Sequence, residues 1–301
     1  MIFYKTLLIA LSCAITGSQS FWCAEPNEPA AVAGSRSGVP ARTGEALDVV
    51  VSAAAVLAWD MESGEILYEK EANVRRPIAS VNKLLAALIV RDCLQMDEII
   101  AIPPEVVRSQ RAGADVGLKP GDHMTVASLL QAGLVPSAND AMTALAVACA
   151  GDEDKFAIRM NEYAQSQGWL NTQAANATGL SGGEQYSSAA DVRKIFEAAY
   201  DDLNLRKFLS MQTGEITSQE GSRIKFKSTN ELLGTYLPVL AAKTGFTLDA
   251  KENLALISQT EDGHAVGIVI LGSDHRFYDA KVMVEWLQRN YTWPDSTRMG
   301  G

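Results

Sequence analysis

The sequence predicts a single α+β domain whose antiparallel sheet, of about five strands, is flanked by helices and carries a helical subdomain. Three observations lead there: a strand hairpin near the start, a long helical middle, and a return to strands before one last helix. That order lets one sheet recruit strands from both ends of the chain, with the helical block inserted to one side. The chain has 301 residues and 47% hydrophobic composition, enough to build a sizeable core.

The hairpin is "AVLAWDMESGEILYEKEA", two apolar strands joined at Glu62, Ser63 and Gly64. Helical spacing of apolar residues follows in "RRPIASVNKLLAALIV", "TVASLLQAGLV", "NDAMTALAVACA", "DEDKFAIRMNEYAQSQG" and "SAADVRKIFEAAY". Gly168 stops the fourth of these, and Ser188 with Asp191 resembles a capping box for the fifth. From about Ile216 strands resume with "RIKFK", "YLPVLAAKTG" and "NLALISQTEDGHAVGIVILG", the last turning at Asp262 and Gly263. "DAKVMVEWLQRN" is the closing helix. The domain is expected over 48–292, with 293–301 a tail.

Residues 1–24 read as an export signal: one lysine, a short apolar run, then small polar residues. Residues 25–47 are poor in apolar pattern and read as a flexible lead-in. An exported protein, periplasmic or otherwise extracytoplasmic, is therefore expected, with no stable membrane anchor. The formal charge of −10 and the lack of a basic run argue against nucleic-acid binding. Cys93 and Cys149 remain after export, each late in a helix; two buried free thiols are the expectation, with a single bridge in an oxidising compartment as the alternative. The three histidines are scattered, which argues against structural zinc.

Three short pieces carry chemistry. Ser80 and Lys83 are separated by three positions, so on a helix they share a face. Leu84, Leu85, Leu88, Ile89 and Val90 make that helix a core element, where an ammonium is costly unless paired or neutral. A desolvated, neutral lysine is a base able to activate a serine hydroxyl. The same spacing also suits a serine near a helix cap with its lysine in solvent. Ser137 and Asn139 flank the join of two helices after Pro136, a loop able to face a cleft, although an N-cap would need no more. Lys243, Thr244 and Gly245 close an apolar strand, where a second cation could hold an anion and depress the first lysine's pKa, or merely end the strand.

Together and in this order, the three resemble the S-x-x-K, S-x-N and K-T-G set of penicillin-interacting enzymes. The chain is most similar to low-molecular-mass penicillin-binding proteins, the D-alanyl-D-alanine carboxypeptidase family of serine peptidases. "PIASVNKLL", "AGADVGLKPGDHMTVASLLQAGLVPSANDAMTALA", "MNEYAQSQG", "NATGL", "YSSAADV", "STNELL" and "AAKTGFT" carry the likeness, from about Ala54 to Gln288. It implies a β-lactamase/transpeptidase-like fold and a hydrolase of cell-wall biogenesis and cell shape, acting on peptidoglycan stem peptides. It also implies β-lactams as covalent inhibitors and no metal or organic cofactor.

By the same resemblance Ser80 is the acylated nucleophile and Lys83 its general base. Ser137 relays a proton to the leaving amine, and Asn139 holds the substrate's amide backbone. Lys243 and Thr244 bind the terminal carboxylate, Gly245 lets substrate lie against the strand, and the N–H groups of Ser80 and Phe246 receive the oxyanion. Two positions depart from the common pattern: Ala138 stands where the family more often has Gly, and Phe246 where many carboxypeptidases have His. "RRPIAS" and "KTGFT" resemble the short branch that cuts D-alanyl-diaminopimelate cross-links, which leads to the expectation of no further domain after Asn290. The less favoured readings are a serine β-lactamase, which needs an E-x-x-L-N segment not found between Asn139 and Lys243, and a non-catalytic penicillin-sensing or wall-binding module.

Overall fold

The computed structural model describes residues 38–43 and 48–294. Along the chain run β1 (Ala41–Arg42), β2 (Ala55–Asp60), β3 (Ile66–Lys70), α1 (Lys83–Cys93), β4 (Ile99–Ala101), α2 (Val106–Gln110) and β5 (His123–Thr125). Helices α3 (Val126–Leu134), α4 (Asn139–Ala150), α5 (Glu153–Ser166), α6 (Ala189–Asp201) and α7 (Leu203–Leu209) fill the middle. Strands β6 (Thr213–Thr217), β7 (Arg223–Lys227), β8 (Val239–Thr247), β9 (Lys251–Gln259) and β10 (Ala265–Ser273) precede α8 (Arg276–Asn290) and β11 (Tyr291–Thr292).

The main sheet has five strands in the order β3-β2-β10-β9-β8, each neighbouring pair antiparallel. Because it is covered on both sides, its inner strands are apolar at nearly every position, and alternate residues serve different cores. Leu57, Trp59, Val269 and Leu271 face the helical block, packing with residues of α1, α3, α4 and α6. Val56, Ala58, Ile268 and Ile270 face α8 through Ala280, Met283, Val284 and Leu287. Each of the Val, Leu, Ile and Met side chains among these contributes about 1.5–3 kcal/mol on burial.

Helix α1 is apolar almost all round, with Leu84, Leu85, Ala86, Ala87, Ile89 and Val90 all buried. Helix α4 begins immediately after the bend at Pro136 and Ser137, and Ser188 caps α6 by accepting the Asp191 N–H at 3.1 Å. Strand β8 is an edge of the sheet, and its free side faces the 3-10 turn Ala79–Asn82 that leads into α1. Turn, α3–α4 bend and sheet edge therefore meet at one place.

Several expectations are corrected. "RIKFK" pairs only with β6, in a two-stranded sheet of its own. Cys93 and Cys149 are not free thiols; they form a disulfide with Cα atoms 6.0 Å apart. Each stands in the last turn of its helix, and α1 and α4 bring those turns side by side, within ordinary bridging distance. Ala41 and Arg42, inside the stretch read as lead-in, pair with Tyr291 and Thr292. Trp293, read as tail, is buried and donates from Nε1 to Asp60 Oδ1 at 2.8 Å. The export signal expected over 1–24 lies outside the described residues. Among the described residues no helix is long and apolar enough to cross a membrane.

Candidate active site

Ser80 lies in the turn Ala79–Asn82, half-buried, at the wall of a cleft of about 560 Å³. The turn is entered through Ala79 with φ of +49°, and Ser137 across the cleft has φ of +66°. A left-handed backbone costs a side-chain-bearing residue about 1–2 kcal/mol, so the surrounding packing must hold both in place. Gly179 lies directly behind: a Cβ there would sit 2.0 Å from the Ala79 carbonyl oxygen.

Lys83 is wholly buried, which removes the solvent-facing alternative. Its Nζ lies 2.7 Å from Ser80 Oγ, 2.8 Å from Asn139 Oδ1 and 2.7 Å from the Thr178 carbonyl oxygen. Lys243, 1% exposed, donates from Nζ to Ser137 Oγ at 2.8 Å and to the Thr244 carbonyl at 3.0 Å. The Thr244 and Thr229 hydroxyls are 2.5 Å apart.

Burial is the main reason the Lys83 ammonium is pushed well below its ordinary pKa; the Lys243 cation adds to the effect and the Asp140 carboxylate opposes it. Lys243 itself is lowered to about 7, chiefly by burial and then by the Arg276 guanidinium. The two lysines thus stand to differ in role. One is suited to lose its proton to become a base, and the other to remain a cation once an anion arrives.

Gly245 is where strand and turn touch. A Cβ there would lie 2.5 Å from the Ile78 carbonyl oxygen, 3.0 Å from Val81 N and 3.1 Å from Ser80 N, so only glycine allows this approach. Phe246 continues β8 opposite Glu252, its side chain 57% exposed at the cleft mouth beside Leu248. All eight residues singled out from sequence are therefore in or beside one cleft. Ser80, Ser137, Asn139, Thr244, Gly245 and Phe246 line it, while Lys83 and Lys243 stand behind that lining.

Sequence reasoning missed four contributors. Arg276, the first residue of α8, lines the cleft and donates from Nη1 to the Gly245 carbonyl at 3.1 Å. Asp140, fully buried, accepts from the Val116 and Leu118 amides and from Gln110 Nε2. Thr229 meets Thr244, and Asn176 organises the loop behind Lys83. Arg276 had no motif to announce it, whereas Asn176 stood in the quoted "NATGL" without a role.

Solved structures place this architecture. The DD-transpeptidase of Streptomyces K15 superposes with a TM-score of 0.74 at 26% identity, over 80% of this chain and 98% of that one. Fold and site define the class: the α+β scaffold of penicillin-binding DD-peptidases. The profile of the peptidase S11 family, D-alanyl-D-alanine carboxypeptidase, matches residues 42–275, and the chain belongs to that family. It is 29% identical over 227 residues to D-alanyl-D-alanine carboxypeptidase DacF of Bacillus subtilis, covering 74% of this chain and 58% of the relative. It is 27% identical over 255 residues to the D-alanyl-D-alanine endopeptidase of Pseudomonas aeruginosa, covering 83% of this chain and 81% of the relative. The chain thus spans about three fifths of the length of DacF.

Proposed function

We propose that the protein is a serine D-alanyl-D-alanine carboxypeptidase that acts outside the cytoplasm on peptidoglycan stem peptides and is acylated by β-lactams at Ser80. The observation that carries this is the buried Lys83 amine, 2.7 Å from the Ser80 hydroxyl with its pKa pushed down. Neutral Lys83 takes the Ser80 proton as Oγ attacks the carbonyl between the two D-alanines. The oxyanion that forms is received by the N–H groups of Ser80 and Phe246. Thr244 and Arg276 on the cleft surface hold the terminal carboxylate, with the Lys243 cation close behind them supplying charge, and Asn139 holds the peptide backbone. A proton passing through Ser137 to the leaving nitrogen lets D-alanine depart, and water then hydrolyses the Ser80 ester.

A fluorescent penicillin tests the first step: wild type should label and Ser80→Ala should not. Equal labelling of both, or none of either, would sink the nucleophile assignment. Release of D-alanine from a pentapeptide tests turnover, and a protein that labels but neither releases D-alanine nor cuts cross-linked dimers is a sensing module.

The likeness to the Pseudomonas aeruginosa endopeptidase, together with Phe246 in place of His, supports a second reading in which the scissile bond is a D-alanyl cross-link. Chromatography of digested sacculi separates the two: loss of cross-linked dimers while pentapeptide monomers persist selects the endopeptidase.

A further inference from the structure

A neutral lysine amine has two protons and one lone pair, and catalysis by Lys83 depends on which neighbour faces the lone pair. Its three neighbours are not equivalent. Asn139 Oδ1 and the Thr178 carbonyl oxygen can only accept, whereas the Ser80 hydroxyl can also donate. If both N–H groups go to the two carbonyls, the lone pair must face Ser80. With one carbonyl displaced, a proton can rotate toward Ser80 and the lone pair away from it. The Thr178 carbonyl is therefore as important to the base as Asn139 is.

That carbonyl is a backbone group, so something must fix the loop that bears it. Asn176 does so with both polar atoms of its side chain and with its own carbonyl. Its Oδ1 accepts from Thr178 N at 3.1 Å, Thr178 Oγ1 at 2.8 Å and Gly179 N at 2.8 Å. Its Nδ2 donates to the Leu180 carbonyl at 3.0 Å, and its own carbonyl accepts from Asn82 Nδ2 at 2.8 Å. Asn82 lies between Ser80 and Lys83, so the loop is tied to the turn that carries the nucleophile. Gly179 is packed against Ala79, with no room for a Cβ. We infer that Asn176 is a positioning residue for the general base: by holding the Thr178 carbonyl on Lys83 Nζ it aims the amine lone pair at Ser80.

The inference rests on reading Ser80 and Lys83 as the acylating pair, so wild-type and Ser80→Ala protein are labelled alongside as the control on that reading. Acylation by a fluorescent penicillin is followed by stopped flow from pH 5 to 10 to separate the pre-covalent dissociation constant from the acylation rate constant. Asn176→Ala should lower the plateau acylation rate constant by about 10- to 100-fold, with the dissociation constant within about threefold of wild type. Raising the pH should not restore the rate, because the defect is one of direction rather than protonation. Asn176→Asp keeps an acceptor for all three loop donors but sets its second oxygen against the Leu180 carbonyl and adds a charge that raises the Lys83 pKa, so its plateau, read at the high-pH end, should stand at least about threefold above that of Asn176→Ala. If Asn176→Ala does not fold, Thr178→Val, which deletes one of those donors, takes its place with an expected loss of about three- to tenfold. With wild type labelled at Ser80, the inference is overturned by an Asn176→Ala plateau equal to wild type, by recovery of its rate at high pH, or by an Asp variant as slow as the Ala variant. In the Thr178→Val arm, an unchanged plateau overturns it.

Discussion

Lys243 gives the sharpest test of the electrostatics. In the unliganded protein its pKa lies at about 7, lowered by burial and by Arg276, while Lys83 is pushed well below its ordinary value. The proposed active form needs Lys83 neutral and Lys243 charged, so kcat/KM should rise with pH as Lys83 loses its proton and fall above about 7 as Lys243 loses its own. By pH 8 only about a tenth of the free enzyme keeps the Lys243 cation, and by pH 9 about a hundredth, so wherever Lys83 is already neutral kcat/KM should drop about tenfold per pH unit. A bound carboxylate favours the charged form, so the descending limb of kcat should lie at higher pH than that of kcat/KM. Lys243→Met should abolish the descending limb altogether. Removing a hydrogen bond to a charged group costs about 1.5–3 kcal/mol, so its kcat/KM near neutrality should be about 10- to 150-fold lower. Its ascending limb should also move to higher pH, because the cation that depresses Lys83 is gone. D-alanine release from a pentapeptide across pH 5–10 measures all of these. A descending limb that survives in Lys243→Met refutes the assignment.

Three further outcomes are expected. Gly245→Ala should reduce penicillin acylation on the order of 100-fold, since its Cβ meets only backbone atoms of the turn carrying Ser80 and must push strand and turn apart; an unchanged rate would show that the contact is not needed. Asp140→Asn removes the one carboxylate that raises the Lys83 pKa, so the ascending limb of acylation should move to lower pH; a move to higher pH contradicts the charge account. Replacing Cys93 and Cys149 together by Ala opens a link between residues 56 apart, which chain entropy values at about 4 kcal/mol, measurable as a lower urea midpoint. An unchanged midpoint would mean that the unfolded chain gains little freedom.

The parts legible in the sequence were those where a residue conflicts with its surroundings or a pattern has a period. Lys83 on an apolar helix was such a conflict, and the hairpin turns at Gly64 and Gly263 punctuated the strands. The pairing of β1 with β11 was not legible, because strands of two residues have no alternation to detect and their partners lie at opposite ends of the described chain. The disulfide was hidden for a related reason: only the packing of α1 on α4 brings two helix ends together. Arg276 and the Asn176 loop act through contacts with backbone carbonyls, which any segment possesses and which leave no spacing signature.

The site also costs the fold stability, and this can be measured apart from catalysis. Ala79 and Ser137 have strained backbones, and both lysines are buried at a cost that other parts of the fold must offset. For Lys243 the folded pKa of about 7 lies below the ordinary value of 10.5, so between those limits the unfolded state binds more protons than the folded one. Stability should accordingly rise with pH across that window, with the destabilisation fully present below about 7. Lys243→Met loses this dependence, and partial relief of Lys83 acts in the same direction. Its stability relative to wild type should therefore fall by about 2 kcal/mol between pH 7 and 9. The vacated Ser137 hydroxyl and Thr244 carbonyl add a penalty that does not vary with pH, so it cancels from this difference. Urea denaturation at each pH gives the two curves. Parallel curves would mean that Lys243 keeps its ordinary affinity for a proton and would remove the basis for the descending limb as well.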